Sequence, residues 1–298
     1  MSVTFTVSQG GKLMKTKPSL AFLQKKFGSA YQIGGIGPAL NFQAKPGAAP
    51  DGCEAAYMVY SAADNRLGRG FTLFVDKGYS AFRLESPVPT TIHDLEDMVA
   101  FAGILAGLVE VDRVHCGELG AVRAAGLARV FPAVRAANCA ILKSYAIDRP
   151  GFMVSGVLYP LKIPESLCRR MADLPAENGA LYFADYLAEK QWPARAYLAP
   201  TFHRNAADGT VAGTYTLLED TAFVIPKTPF IPFDASPFAG EAVATWAVEL
   251  LSNHLGVIGS MGYEGFLSRL DAREVTDFDE LHYLLRALPL QRMRALLG

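Results

Sequence analysis

Near its start the chain alternates, with Val3, Phe5 and Val7 apolar and Thr4 and Thr6 polar between them. That period of two predicts a half-buried strand, turned at Gly10-Gly11. Leu20, Phe22, Leu23 and Phe27 then recur at helical spacing behind Ser19, a residue suited to capping. A Gly/Pro/Ala-rich passage over 34–52 reads as a loop. Residues 56–60, 71–76 and 79–84 are β-rich, and the short turn Asp76-Lys77-Gly78 predicts that the last two pair as an antiparallel hairpin. After Pro87 and Pro89, the apolar Ile92, Leu95, Val99, Ala102, Leu105 and Leu108 fall three or four apart and predict a helix running toward Val109.

The remainder continues the mixture. A strand is expected around 111–117, a helix over 125–145, a strand over 152–159, a helix starting at Pro164 and another over 180–190. Residues 195–202, 211–218 and 222–225 return to β character, and "IPKTPFIPFDASPF" is a proline-stiffened extended connection. Val243, Trp246, Ala247, Leu250 and Leu251 fit a helix face but are also apolar enough for a buried strand. Two short helices, 278–288 and 290–297, are expected to close the chain around Pro289. Hairpins interleaved with helices, without regular βαβ alternation, predict an α+β fold of antiparallel sheets with helices packed on them. The expected organisation is one unit over 1–298 with two lobes, 1–149 and 150–298, meeting near Pro150.

Composition narrows the function classes. A chain of 298 residues, 51% of them hydrophobic, can bury one large core or two ordinary ones. The start lacks the basic and apolar pattern of an export signal, and the longest nearly charge-free apolar run, 98–109, is too short to cross a bilayer. Cys53, Cys116, Cys139 and Cys168 form no Cys-x-x-Cys pair and read as buried thiols of a reducing compartment. The expectation is therefore a cytoplasmic protein with no membrane association. Net charge is −1, so binding of nucleic acid is not expected, although the first fifty residues carry Lys12, Lys15, Lys17, Lys25, Lys26 and Lys45 and no acid. The lysines from Lys12 to Lys26 form a candidate basic binding patch; the plainer account is neutralisation by later acidic residues on folding.

Reactive side chains cluster most densely in "PTTIHDLEDM", residues 89–98. Thr91-x-x-Asp94 fits a capping pattern, in which the hydroxyl accepts a first-turn amide and the carboxylate answers the cap's own amide. Asp94, Glu96 and Asp97 also oppose the positive end of the helix dipole. His93 and Asp97, four apart, are the candidate catalytic or ligand pair, although two ligands do not make a metal site. Ile258-Gly259-Ser260-Met261-Gly262 resembles a nucleophile elbow with Asp279 and His282 following in order, but the segments between them are too short for that fold, and Thr276-x-x-Asp279 offers the aspartate a capping role. The glycines at 34–37 and 10–11 lack dinucleotide and phosphate-loop spacing. His115-Cys116 should point to opposite faces of a strand, and His203 and His254 read as lone structural histidines. No metal or cofactor is expected.

The opening "MSVTF", the segment "FTLFVDKGYSAFRLESPVPTTIHDLEDMVAFAGILA" and the closing "YEGFLSRLDAREVTDFDELHYLLRALP" together resemble a bacterial family of proteins of about this length with no assigned function. The resemblance implies a cytoplasmic bacterial protein and transfers no catalytic residue, substrate or cofactor. From the residues, the expectation is a noncatalytic accessory protein that binds another protein. The alternative is a hydrolase-type enzyme whose site is assembled from distant segments around His93 and Asp97.

Overall fold

The computed structural model describes residues 2–11, 14–37, 40–45, 47–231, 238 and 241–298. By its internal contacts the chain divides into two compact units, Met1–Gln191 and Trp192–Gly298. The helix breaker Arg149-Pro150-Gly151 lies within the first.

That first unit comprises β1 (Ser2–Ser8), α1 (Leu20–Phe27), β2 (Tyr31–Ile36), β3 (Phe42–Gln43), β4 (Cys53–Ser61), β5 (Phe71–Asp76), β6 (Ala81–Pro87), α2 (Ile92–Leu108), β7 (Arg113–Cys116), β8 (Ala121–Arg123), α3 (Phe131–Asp148), β9 (Met153–Ser155), β10 (Pro160–Lys162), α4 (Glu165–Asp173) and α5 (Ala176–Lys190). Eight strands form one antiparallel sheet in the order β3-β2-β4-β5-β6-β1-β7-β8. The pleat sorts its side chains: Phe71, Leu73 and Val75 of β5, Phe82 and Leu84 of β6, and Phe5 and Val7 of β1 are buried against α2, which supplies Leu95, Met98, Phe101, Ala102 and Leu105. Phe101 centres this core, stacking on Phe27 with ring centroids 4.2 Å apart and meeting Tyr31 and Phe71 edge-on. Alternate residues, including Thr72, Phe74 and Glu85, occupy the other face of the sheet.

The second unit comprises β11 (Arg195–Tyr197), β12 (Pro200–Arg204), β13 (Val211–Leu218), β14 (Ala222–Pro226), β15 (Val243–Ser252), β16 (Gly256–Gly262), α6 (Tyr263–Ser268), β17 (Val275–Asp277), β18 (His282–Leu285) and α7 (Leu290–Leu297). Two four-stranded sheets, β11-β14-β18-β17 and β12-β13-β15-β16, each contain one parallel pair, β11 with β14 and β13 with β15. The fold is α+β, as the alternation of hairpins and helices predicts.

Several expected elements are realised differently. The supposed loop over 34–52 contains the end of β2 and all of β3, because Gly34 brings its backbone against Phe42 and Gln43, where a Cβ would collide with both. Helix α3 begins at Phe131, preceded by a short 3-10 segment over Ala124–Arg129. The ambiguous run after Val243 is β15, paired on both sides. The expected helix over 278–288 is a turn leading into β18. Asp279 accepts the amides of Leu281 and His282, so its carboxylate closes a turn and caps no helix, and Thr276 lies in β17. The proline-rich connection falls partly outside the described residues, at 232–237.

Candidate functional site

Helix α2 begins as its sequence requires: Thr91 Oγ1 accepts the Asp94 amide at 3.0 Å. The Asp94 carboxylate, however, turns away from the cap's own amide. It accepts from the backbone amides of Arg69 (2.8 Å) and Gly70 (2.9 Å) and from the hydroxyls of Thr90 (3.2 Å) and Thr91 (2.7 Å). Asp94 thus clasps the loop before β5 to the start of α2. Gly68 must lack a side chain for this to happen, since a Cβ there would strike the Asp94 carboxylate and Thr91 Oγ1, and Gly70 follows at φ +65°. Burial pushes the Asp94 carboxyl up, against the four hydrogen bonds that favour its charged form.

The same loop presents Arg69. Its Nε donates to Ser155 O (3.1 Å), Nη2 to Ser155 Oγ (2.9 Å) and Nη1 to Pro89 O (2.5 Å). Protein surrounds the guanidinium closely enough that burial pulls it down to about 10, with Asp94 opposing the shift. Part of the residue nevertheless stays accessible, because it lines a cavity. Asn138 of α3 extends the network by bonding both the amide and the carbonyl of Thr90, and Gln191 bonds Gly68 O and the Leu158 amide.

This cavity, of about 530 Å³, lies on the face of the eight-stranded sheet opposite α2. Its floor is the outward set of the pleat, Ala56 and Met58 of β4, Thr72 and Phe74 of β5, and Glu85 and Pro87 of β6, in cross-strand register. Arg69 and Ser155 also line it. Arg83 Nε lies 2.7 Å from Glu85 Oε1, a charge contact without hydrogen-bond alignment, and its guanidinium stacks over Phe74.

His93 and Asp97 do not line the cavity. Arg66, from the segment before β5, brings the acids of this turn together: Nη2 lies 2.9 Å from Glu96 Oε2 and 3.2 Å from Asp97 Oδ1, and it also donates to His93 O. His93 Nδ1 lies 3.7 Å from Glu96 Oε2, beyond hydrogen-bond reach, and is buried without a hydrogen-bond partner. Asp97 is raised by burial and lowered by Arg66. Among the described residues no group of three or more His, Cys, Asp or Glu is placed to hold a metal.

Of the lysines, Lys12 lies outside the described residues. Lys25 and Lys26 occupy the last turn of α1, where positive charge complements the helix dipole, and Lys17 Nζ lies over the Tyr79 ring. Lys15 is partly buried and Lys45 exposed. Ser260 is exposed on β16, whereas His282 is completely buried on β18 of the other sheet, its Nδ1 held 2.9 Å from Asp279 Oδ1. That placement removes the nucleophile-elbow resemblance. His203 and His254 are exposed on β12 and in the β15–β16 turn, which corrects their expected role as lone structural histidines. His115 is exposed and Cys116 buried on alternate faces of β7, and all four cysteines are free.

The cavity, Arg66 and Arg69 escaped the sequence reading. The usable signal for the cavity was the outward alternation Thr72, Phe74 and Glu85, which marks a face without saying what covers it. No helix among the described residues is long and apolar enough to cross a membrane. The family model described as a domain of unknown function, DUF4299, matches residues 2–296. No curated protein and no solved structure matches the chain.

Proposed function

Since the chain belongs to the domain of unknown function family DUF4299, we propose from its geometry that it is a noncatalytic binding protein of the bacterial cytoplasm, taking a small molecule on the outer face of its large sheet. The cavity carries the reading. It falls in the roughly 300–1,000 Å³ range of ligand sites and combines largely apolar walls with a few fixed polar groups, the usual composition of such a site. Four free cysteines accord with a reducing compartment.

The test uses the purified full chain and its Ala56→Trp variant, in which an indole fills the cavity floor. A panel of small apolar compounds, neutral and charged, should include members that raise the melting temperature of the wild type and not of Ala56→Trp. If every compound acts equally on both proteins, the cavity is not a binding site.

A protein partner is the second reading. It is favoured by the β15–β16 hairpin, where Leu255 and Val257 are each 57% exposed and β16 is an edge strand able to accept another. Loss of a captured partner on Leu255→Lys/Val257→Lys substitution would support it. The rival hydrolase reading around His93 and Asp97 requires Asp97 to act while engaged by Arg66, and retention of any purified hydrolytic activity by Asp97→Asn would dismiss it.

A further inference from the structure

Resting on the small-molecule reading, we propose that the cavity takes an apolar molecule bearing one carboxylate, with its carbon chain over Met58 and Phe74 and its head group on Arg69. An arginine side chain has five N–H donors, and the contacts of Arg69 with Ser155 and Pro89 engage three. Donor capacity therefore remains on the terminal nitrogens, and Arg69 lines the cavity. Three anchors hold the guanidinium in place, so little freedom is left to lose when an anion binds.

Charge complementarity points the same way. Asp94 approaches Arg69 through the backbone amide, and among the described residues no hydrogen bond joins the two side chains. Its oxygens are already occupied by two amides and two hydroxyls. Glu85, the acid lining the cavity, has the Arg83 guanidinium beside it. An anion entering from the apolar side meets a fixed planar donor whose nearest acid is bonded elsewhere. A carboxylate suits this donor better than a phosphate, because its two oxygens share a plane with the guanidinium fork, whereas a dianion beside Glu85 would call for a further cation.

Calorimetric titration of the full chain with decanoate, decanol, decyl phosphate and decyltrimethylammonium, all below their aggregation concentrations, tests the assignment. Decanoate should bind wild type about tenfold or more tightly than decanol, the difference expected of a charge-assisted hydrogen bond. Decyltrimethylammonium should not bind. Arg69→Met should bring decanoate down to the level of decanol, and Ala56→Trp should weaken both. Should Arg69→Met fail to fold, the decanoate-to-decanol ratio on wild type and the Ala56→Trp result decide. Equal binding of decanoate and decanol, both lost in Ala56→Trp, overturns the carboxylate while leaving the cavity a binding site. Tighter binding of decyl phosphate than decanoate overturns it in favour of a phosphate. Binding of decanoate that survives Ala56→Trp overturns the placement, and binding of none of the four overturns the small-molecule reading as well.

Discussion

Asp94 and His93 are neighbours in the same helical turn, yet their burdens differ. Asp94 is buried and holds two backbone amides of a separate loop, so truncation leaves those donors without an acceptor. Asp94→Ala should destabilise the first unit by about 2–5 kcal/mol, since each buried amide left without an acceptor costs about 1–3 kcal/mol. His93→Ala removes a side chain whose Nδ1 has no hydrogen-bond partner and should cost about 1 kcal/mol or less. Urea unfolding followed by circular dichroism compares the two, and equal losses would show that the clasp is not what holds the turn. Gly68→Ala pushes a methyl group into the same carboxylate and should cost about 1–3 kcal/mol. In the double variant with Asp94→Ala that penalty should shrink, because the colliding group is gone. The capping role of Thr91 was legible because it is local. The destination of the Asp94 carboxylate was not, since Arg69 and Gly70 are more than twenty positions away in sequence.

Elements read most faithfully where burial has a single period. Strand β5 alternates buried and partly exposed positions along its whole length, and α2 keeps its apolar stripe from Ile92 to Ala106, so both were recognisable from residue spacing. Strand β15 was ambiguous because Val243, Trp246, Ala247, Leu250 and Leu251 satisfy helical spacing by coincidence; pairing with β13 and β16 decides the matter, and sequence spacing does not reveal partners. At the end of the chain, Arg292 of α7 donates to both oxygens of Glu274, at 2.6 and 2.8 Å, and to Arg269 O. The Arg292 hydrogen bonds hold the Glu274 carboxyl below its usual range. A depressed folded pKa means that the contact is fully stabilising above the ordinary value of about 4.5 and is lost as pH falls through the folded value. Glu274→Gln should therefore cost on the order of 1 kcal/mol at pH 7 and progressively less as pH drops below that value. Denaturation of both proteins across this range checks the sign: a difference that grows on acidification would contradict the latch.

At the scale of the whole molecule, the charge distribution bears on what the protein can bind. The net charge is −1, so the six lysines of the first fifty residues are offset by acids elsewhere in the chain. Some of them have structural work of their own: Lys25 and Lys26 close α1 and Lys17 covers Tyr79. Nucleic-acid binding driven by phosphates would require several lysines to release counterions together, giving an affinity that falls steeply with salt. The expectation is that the purified full chain does not shift single- or double-stranded RNA at about 150 mM salt, near physiological ionic strength. The informative control is the Lys15→Glu/Lys17→Glu/Lys25→Glu variant at lower salt. Weak binding that the triple variant leaves unchanged would place the contact away from the amino-terminal lysines. Binding that persists at physiological salt and disappears in the triple variant would instead make the amino-terminal lysines a nucleic-acid surface, distinct from the cavity, which no lysine lines among the described residues.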